Sequence, residues 1–144
     1  MSATLSTGVA LVFVWLGMVL AISFLEAPLK FQAPGITIPL GLGIGRLVFR
    51  ALNAVESVLA VTLVVTAAVA DDWSRSVIYG LIVAVGALAL QVLAVRPALS
   101  RRTAAVLADP ENVPAQRSRA HLAYVACELV KVGGLLTAGI ALLL

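Results

Sequence analysis

Residues 44–70 read IGRLVFRALNAVESVLAVTLVVTAAVA. From Val58 onward the run is Val, Leu, Ala and Thr alone, and a helix needs about 20 mostly apolar residues to cross the hydrocarbon core of a bilayer. The first half of the run differs. Arg46, Arg50, Asn53 and Glu56 recur at steps of four, three and three, which places them on one helical stripe. A membrane-crossing helix with a polar stripe at one end is therefore the unit from which the rest of the chain is read.

Working outward, three more stretches have the same length and character, at residues 7–27, 76–95 and 121–144. Each is continuously apolar rather than alternating, so helices and not barrel strands are predicted. The composition agrees. Of 144 residues, 62% are hydrophobic and 12% charged, with a mean hydropathy of +1.10. A soluble chain of this length carries about a quarter charged residues and buries only part of its surface. The prediction is a single all-α integral membrane domain over residues 1–144, a four-helix bundle. The first run has no Lys or Arg before it and stays apolar to Leu29, so it reads as a retained span rather than a signal peptide.

The segment 28–45, PLKFQAPGITIPLGLGIG, holds three prolines and four glycines. It is too apolar for an ordinary loop and too interrupted for a helix, and is predicted to be interfacial or re-entrant. Residues 71–75, with Trp73, form a short turn, and residues 97–119 form a hydrophilic loop. The net charge of +3 sits at the ends of apolar runs, not in a patch on a soluble fold, so lipid is the expected partner and nucleic acid is not. Lys30, Arg46, Arg50, Arg96, Arg101, Arg102, Arg117 and Arg119 all fall on one side of a four-span topology. The positive-inside rule then makes that side cytoplasmic in a bacterial inner membrane, with both termini outside. The single cysteine, Cys127, permits no intrachain disulfide and reads as a small buried hydrophobe.

Ionisable residues within spans are costly and tend to face the bundle interior. The fourth run has its own stripe of His121, Tyr124, Glu128 and Lys131 at steps of three, four and three, and Glu26 lies near the inner end of the first. With the boundary at Gly45 and Arg119, the helical rise of about 1.5 Å per residue puts Glu56 about 16 Å deep, Glu128 about 13 Å and Lys131 about 18 Å. Two readings follow. Either the three acids are matched by Arg46, Arg50 and Lys131 in a network that only fixes helix register, or the stripes line a cavity open to the cytoplasm.

For a cavity, three chemistries are open. Glycines 41, 43 and 45 leading to Arg46 suggest an anion or lipid-headgroup site built on free N–H groups at a helix start. Glu56, Glu128 and His121 suggest a proton or ion relay. A carboxylate-bridged metal site using Glu26, Glu56, Glu128 and His121 fits poorly, because His121 and Glu128 are seven apart and not at the Glu-x-x-His step. No metal site is predicted, and one histidine excludes a bis-histidine haem. Trp15, Trp73 and Tyr79 are expected at interfaces or in packing. Gly133, Gly134 and Thr137 give a small-residue face suited to helix contact or a homo-oligomer.

Two resemblances bear on these residues. Trp15-Leu16-Gly17, residues 23–31, Ala33-Pro34-Gly35, residues 41–53, Glu56, and then Ser118, His121, Tyr124, Glu128 and Lys131 resemble an uncharacterised family of small four-span bacterial inner-membrane proteins. The resemblance implies a compact four-helix fold with a shared polar site, no activity, and no motif on span three. Arg50-Ala51, Asn53 and Glu56 are similar to the membrane-associated eicosanoid and glutathione metabolism family, although the Arg-Ala pair stands one residue too close to Asn53. That likeness implies that Arg46, Arg50, Asn53 and Glu56 contact glutathione in a trimer. The expectation is a multi-pass membrane protein, not assigned as an enzyme and with no cofactor named. Its polar cavity binds an anion, a lipid headgroup or a translocated ion through Glu26, Arg46, Arg50, Asn53, Glu56, His121, Tyr124, Glu128 and Lys131. A glutathione-dependent enzyme and an accessory subunit of a larger complex are the alternatives.

Overall fold

The computed structural model describes residues 1–112 and 119–144. Within them the chain forms four helices long and apolar enough to cross a membrane: α1 (Ala3–Gln32), α2 (Ile38–Val69), α3 (Arg75–Ala108) and α4 (Arg119–Leu143). No strand occurs among the described residues. The fold is an all-α four-helix membrane bundle, and the protein is a multi-pass membrane protein. Its outer surface is what lipid requires: Leu47, Val58, Val61, Val69, Ile82, Leu93 and Leu129 are all exposed on the bundle's outside.

The helices are longer than the sequence suggests. The segment 28–45 is not re-entrant as a whole; only residues 33–37 leave the helices. Ile38 begins α2, with Thr37 capping it through a hydrogen bond accepted from the Leu40 N–H, and Pro39 sits in the first turn, where its missing N–H costs nothing. Gly35 takes a positive φ of 79° in the turn between. Gly41 and Gly45 stand one turn apart on α2 because the end of α1 folds onto them. A Cβ at Gly41 would meet the Phe31 ring, and one at Gly45 would lie 2.9 Å from Lys30 Nζ.

Similarly, the hydrophilic segment from Pro97 is not a loop up to Arg119, since α3 continues through it to Ala108. Arg117 and Pro114 lie outside the described residues. Proline within a helix removes one backbone donor and pushes its ring against the preceding turn. Both interior prolines are accommodated in the same way, by a π turn directly upstream: Leu20–Glu26 ahead of Pro28, and Gln91–Val95 ahead of Pro97.

Around the bundle, α4 lies between α1 and α3, with its most extensive interface on α3, and α2 packs on α1 and on the end of α3. The α3–α4 approach is set by Gly80 and Gly134. A Cβ on Gly80 would sit 2.6 Å from the Gly134 carbonyl oxygen, so the two backbones touch there. Gly134 thus serves contact within the chain, while Gly133 meets open space. One half of the bundle is dry, packed with Val12, Leu16, Val19, Leu63, Leu81, Leu135 and Leu142. At that end Trp73 covers Gly8, and Asp72 accepts from Ser2 Oγ at 2.7 Å. The opposite half carries Lys30, Arg46, Arg96 and Arg102 around a hollow.

Candidate functional site

The backbones of α2 and α4 barely approach each other, and long polar side chains span the middle of the bundle between them. Lys131 of α4 reaches Glu56 Oε1 of α2 at 2.7 Å and Glu128 Oε1 of its own helix at 2.6 Å, and all three side chains are essentially without solvent exposure. Glu56 Oε1 also accepts from the indole Nε1–H of Trp15 on α1 at 2.9 Å. Glu128 Oε1 also accepts from Gln91 Nε2 on α3 at 2.5 Å, and the same amide donates to the Tyr124 carbonyl at 3.3 Å. One buried cluster therefore takes a side chain from every helix. Beside it, Tyr124 Oη donates to Asn53 Oδ1 at 3.3 Å, and the Phe49 ring stands edge-on to Tyr124 at 5.2 Å.

The cluster is not fully satisfied. Glu56 Oε2, Glu128 Oε2 and Gln91 Oε1, three acceptors, have no hydrogen-bond partner among the described residues, and neither does the donor Asn53 Nδ2. A buried carboxylate oxygen left in this way costs the bulk of its lost hydration.

Tyr124, Asn53 and Glu128 also border the hollow, whose volume is about 520 Å³. Its wall is two-sided in chemistry. Phe24, Phe31, Ile38, Leu42, Phe49 and Leu99 are apolar, while Lys30, Arg46, Arg96, Arg102 and His121 bring cationic or proton-binding groups. Lys30 lies 5.6 Å from the centroids of both Phe31 and Phe49, and 3.7 Å from Glu26 Oε2.

The nine residues predicted from the stripes divide accordingly. Glu56, Glu128 and Lys131 meet in the buried cluster, with Asn53 and Tyr124 alongside. Arg46 and His121 border the hollow. Arg50 is exposed and does not border it, so the stripe on α2 splits into exposed arginines and buried amide and acid. Glu26 is half-buried and paired with Lys30 rather than with the cluster. The π turn at Leu20–Glu26 explains this displacement. The buried positions Val12, Trp15, Leu16 and Val19 extrapolate on an unbroken helix to Glu26, but one extra residue in the turn advances every later side chain by about 100°. Phe24, Ala27 and Phe31 border the hollow instead.

The glycine run at 41–45 offers no free N–H groups, because it lies inside α2; the Gly41 N–H is bonded to the Thr37 carbonyl at 2.9 Å. Among the described residues, no three His, Cys, Asp or Glu side chains gather as a metal site needs.

Two members of the cluster, Gln91 and Trp15, are not among the nine residues predicted for the site. Gln91 is the one amide in its apolar run, and a polar side chain at lipid depth must find a partner; through it span three contributes to the cluster. Trp15 packs in the core, as expected, and also donates to the cluster. It lies mid-helix with no exposure, where its indole N–H needs an acceptor. No family model, no curated protein and no solved structure matches the chain. The chemistry of the site is therefore read from its own geometry.

Proposed function

We propose that this multi-pass membrane protein binds an anionic group carried on an apolar body, with the hollow as its site. The observation that carries the reading is the shared wall: Lys30, Arg46 and Arg96 border the same 520 Å³ space as Phe24, Phe31, Ile38 and Leu42. A cationic rim selects the sign of the guest, and the apolar wall rewards a hydrocarbon portion. A lipid phosphate and a soluble organic anion share that chemistry. In this reading the basic end is cytoplasmic, both termini are outside, and the membrane is the bacterial inner membrane, by the positive-inside rule. The role is binding rather than catalysis.

The test uses the full chain in phosphatidylcholine nanodiscs titrated with decanesulfonate, with empty nanodiscs as background and decanol as the uncharged control. Binding is expected for the sulfonate and not for decanol. Arg96→Gln and Lys30→Gln are each expected to weaken it about tenfold, the size of one charge-assisted hydrogen bond. Replacing part of the lipid with phosphatidylglycerol separates the sources: competition assigns the site to lipid headgroups, and none assigns it to soluble anions. Equal binding of decanol and sulfonate would sink the proposal.

A further inference from the structure

The floor of the hollow carries a charge imbalance that anion binding by the rim does not explain. Lys131 is one ammonium facing two carboxylates, Glu56 at 2.7 Å and Glu128 at 2.6 Å, with no side chain of the three more than 2% exposed. With all three ionised the cluster holds one negative charge in excess, in surroundings where an unmatched charge is costly. The unpartnered buried atoms of the two acids and Gln91 are Glu56 Oε2, Glu128 Oε2 and Gln91 Oε1, all acceptors, while the one unpartnered donor nearby, Asn53 Nδ2, belongs to the Asn53–Tyr124 pair beside them. What the cluster lacks is thus a proton. Of the two acids only Glu128 borders the hollow, so it alone has a path for exchange.

We infer that the Glu56–Lys131–Glu128 cluster takes up one proton, shared by its two carboxylates, when an anion enters the hollow. This rests on the reading of the hollow as an anion site. The linkage is electrostatic. An anion seated over a cluster of charge −1 is repelled, and over a neutral cluster it is not, so each bound anion favours uptake of one proton. The proton bonds to one of the two unpartnered carboxylate oxygens, Glu56 Oε2 or Glu128 Oε2, and comes from water through the hollow past Glu128; no other bond changes. The charged and titratable groups facing this position are Lys30 from α1, Glu56 and Arg46 from α2, Arg96 and Arg102 from α3, and His121, Tyr124, Cys127 and Lys131 from α4.

The experiment is calorimetric titration of the nanodisc-held full chain with decanesulfonate, a probe that does not itself titrate, in two buffers of different ionisation enthalpy. Uptake near one proton per sulfonate is expected in the native chain. It should fall to near zero in Glu128→Gln, which should also bind the sulfonate more tightly. Infrared difference spectra of the native chain add a readout that needs no variant: the carboxylic-acid C=O band should grow on sulfonate addition. Sulfonate binding with no proton uptake and no growth of that band overturns the inference and leaves the anion site standing. Uptake lost in His121→Gln but kept in Glu128→Gln overturns it equally. If sulfonate does not bind at all, the anion site fails and the proton linkage falls with it.

Discussion

Lys131 has no exposure, and its ammonium bonds both carboxylates. Removing it leaves two buried acids without their cation. Breaking a buried pair from one side costs about 3–5 kcal/mol, whereas replacing the whole group by neutral residues of similar shape is close to neutral. Lys131→Met should therefore lower stability by about that amount, and Lys131→Met combined with Glu56→Gln and Glu128→Gln should regain most of it. Unfolding in mixed micelles measures both, and a single variant as stable as the native chain would refute the assignment. The sequence disclosed the members of this group that carry formal charge, because the expense of charge at lipid depth marks them. It did not disclose Trp15 or Gln91, whose donors are neutral and whose residue types have ordinary roles at interfaces and in packing. That Arg50 lies exposed and away from the hollow was not legible for a related reason: a stripe of polar residues does not say where its exposed end stops and its buried end begins.

At the scale of elements, Gly133 and Gly134 are neighbours in α4 with opposite demands. A Cβ on Gly134 would lie 2.7 Å from the Gly80 carbonyl oxygen, while one on Gly133 meets nothing within 4 Å. Gly134→Ala should part α3 from α4 and cost about 1–3 kcal/mol, the usual range for overpacking. Gly133→Ala should leave stability unchanged or slightly raised, since alanine is the better helix former. The same unfolding assay decides, and equal losses for the two would count against the close backbone contact. The existence of all four helices was legible from hydropathy alone. Their ends were not, because proline and glycine were read as breakers in both places. Pro39 stands in a first turn and Pro97 follows a π turn, and neither arrangement leaves a trace in a run of residue types. The displacement of Glu26 has the same origin, since periodicity carried across Leu20–Glu26 assumes a turn of constant pitch.

The whole molecule is polar from end to end, with Lys30, Arg46, Arg50, Arg96, Arg101 and Arg102 at one end and Asp71, Asp72 and Arg75 at the other. With the basic end cytoplasmic, as proposed, alkaline phosphatase fused after Leu144 should be active and a fused fluorescent protein dark. The reverse pattern would place the hollow on the outer side.

The dry half has a bearing on permeation. Val12, Val19, Leu63 and Leu135 are wholly buried, and Leu142 nearly so. From Glu128 to the end of α4 the helical rise gives about 20 Å of this packing. An ion driven along that path would have to shed its hydration shell in a medium of low polarisability, at a cost of tens of kcal/mol. The dry half is thus an electrical insulator beneath the hollow: a guest bound as proposed would leave by the mouth through which it came, with the membrane voltage intact while it is held.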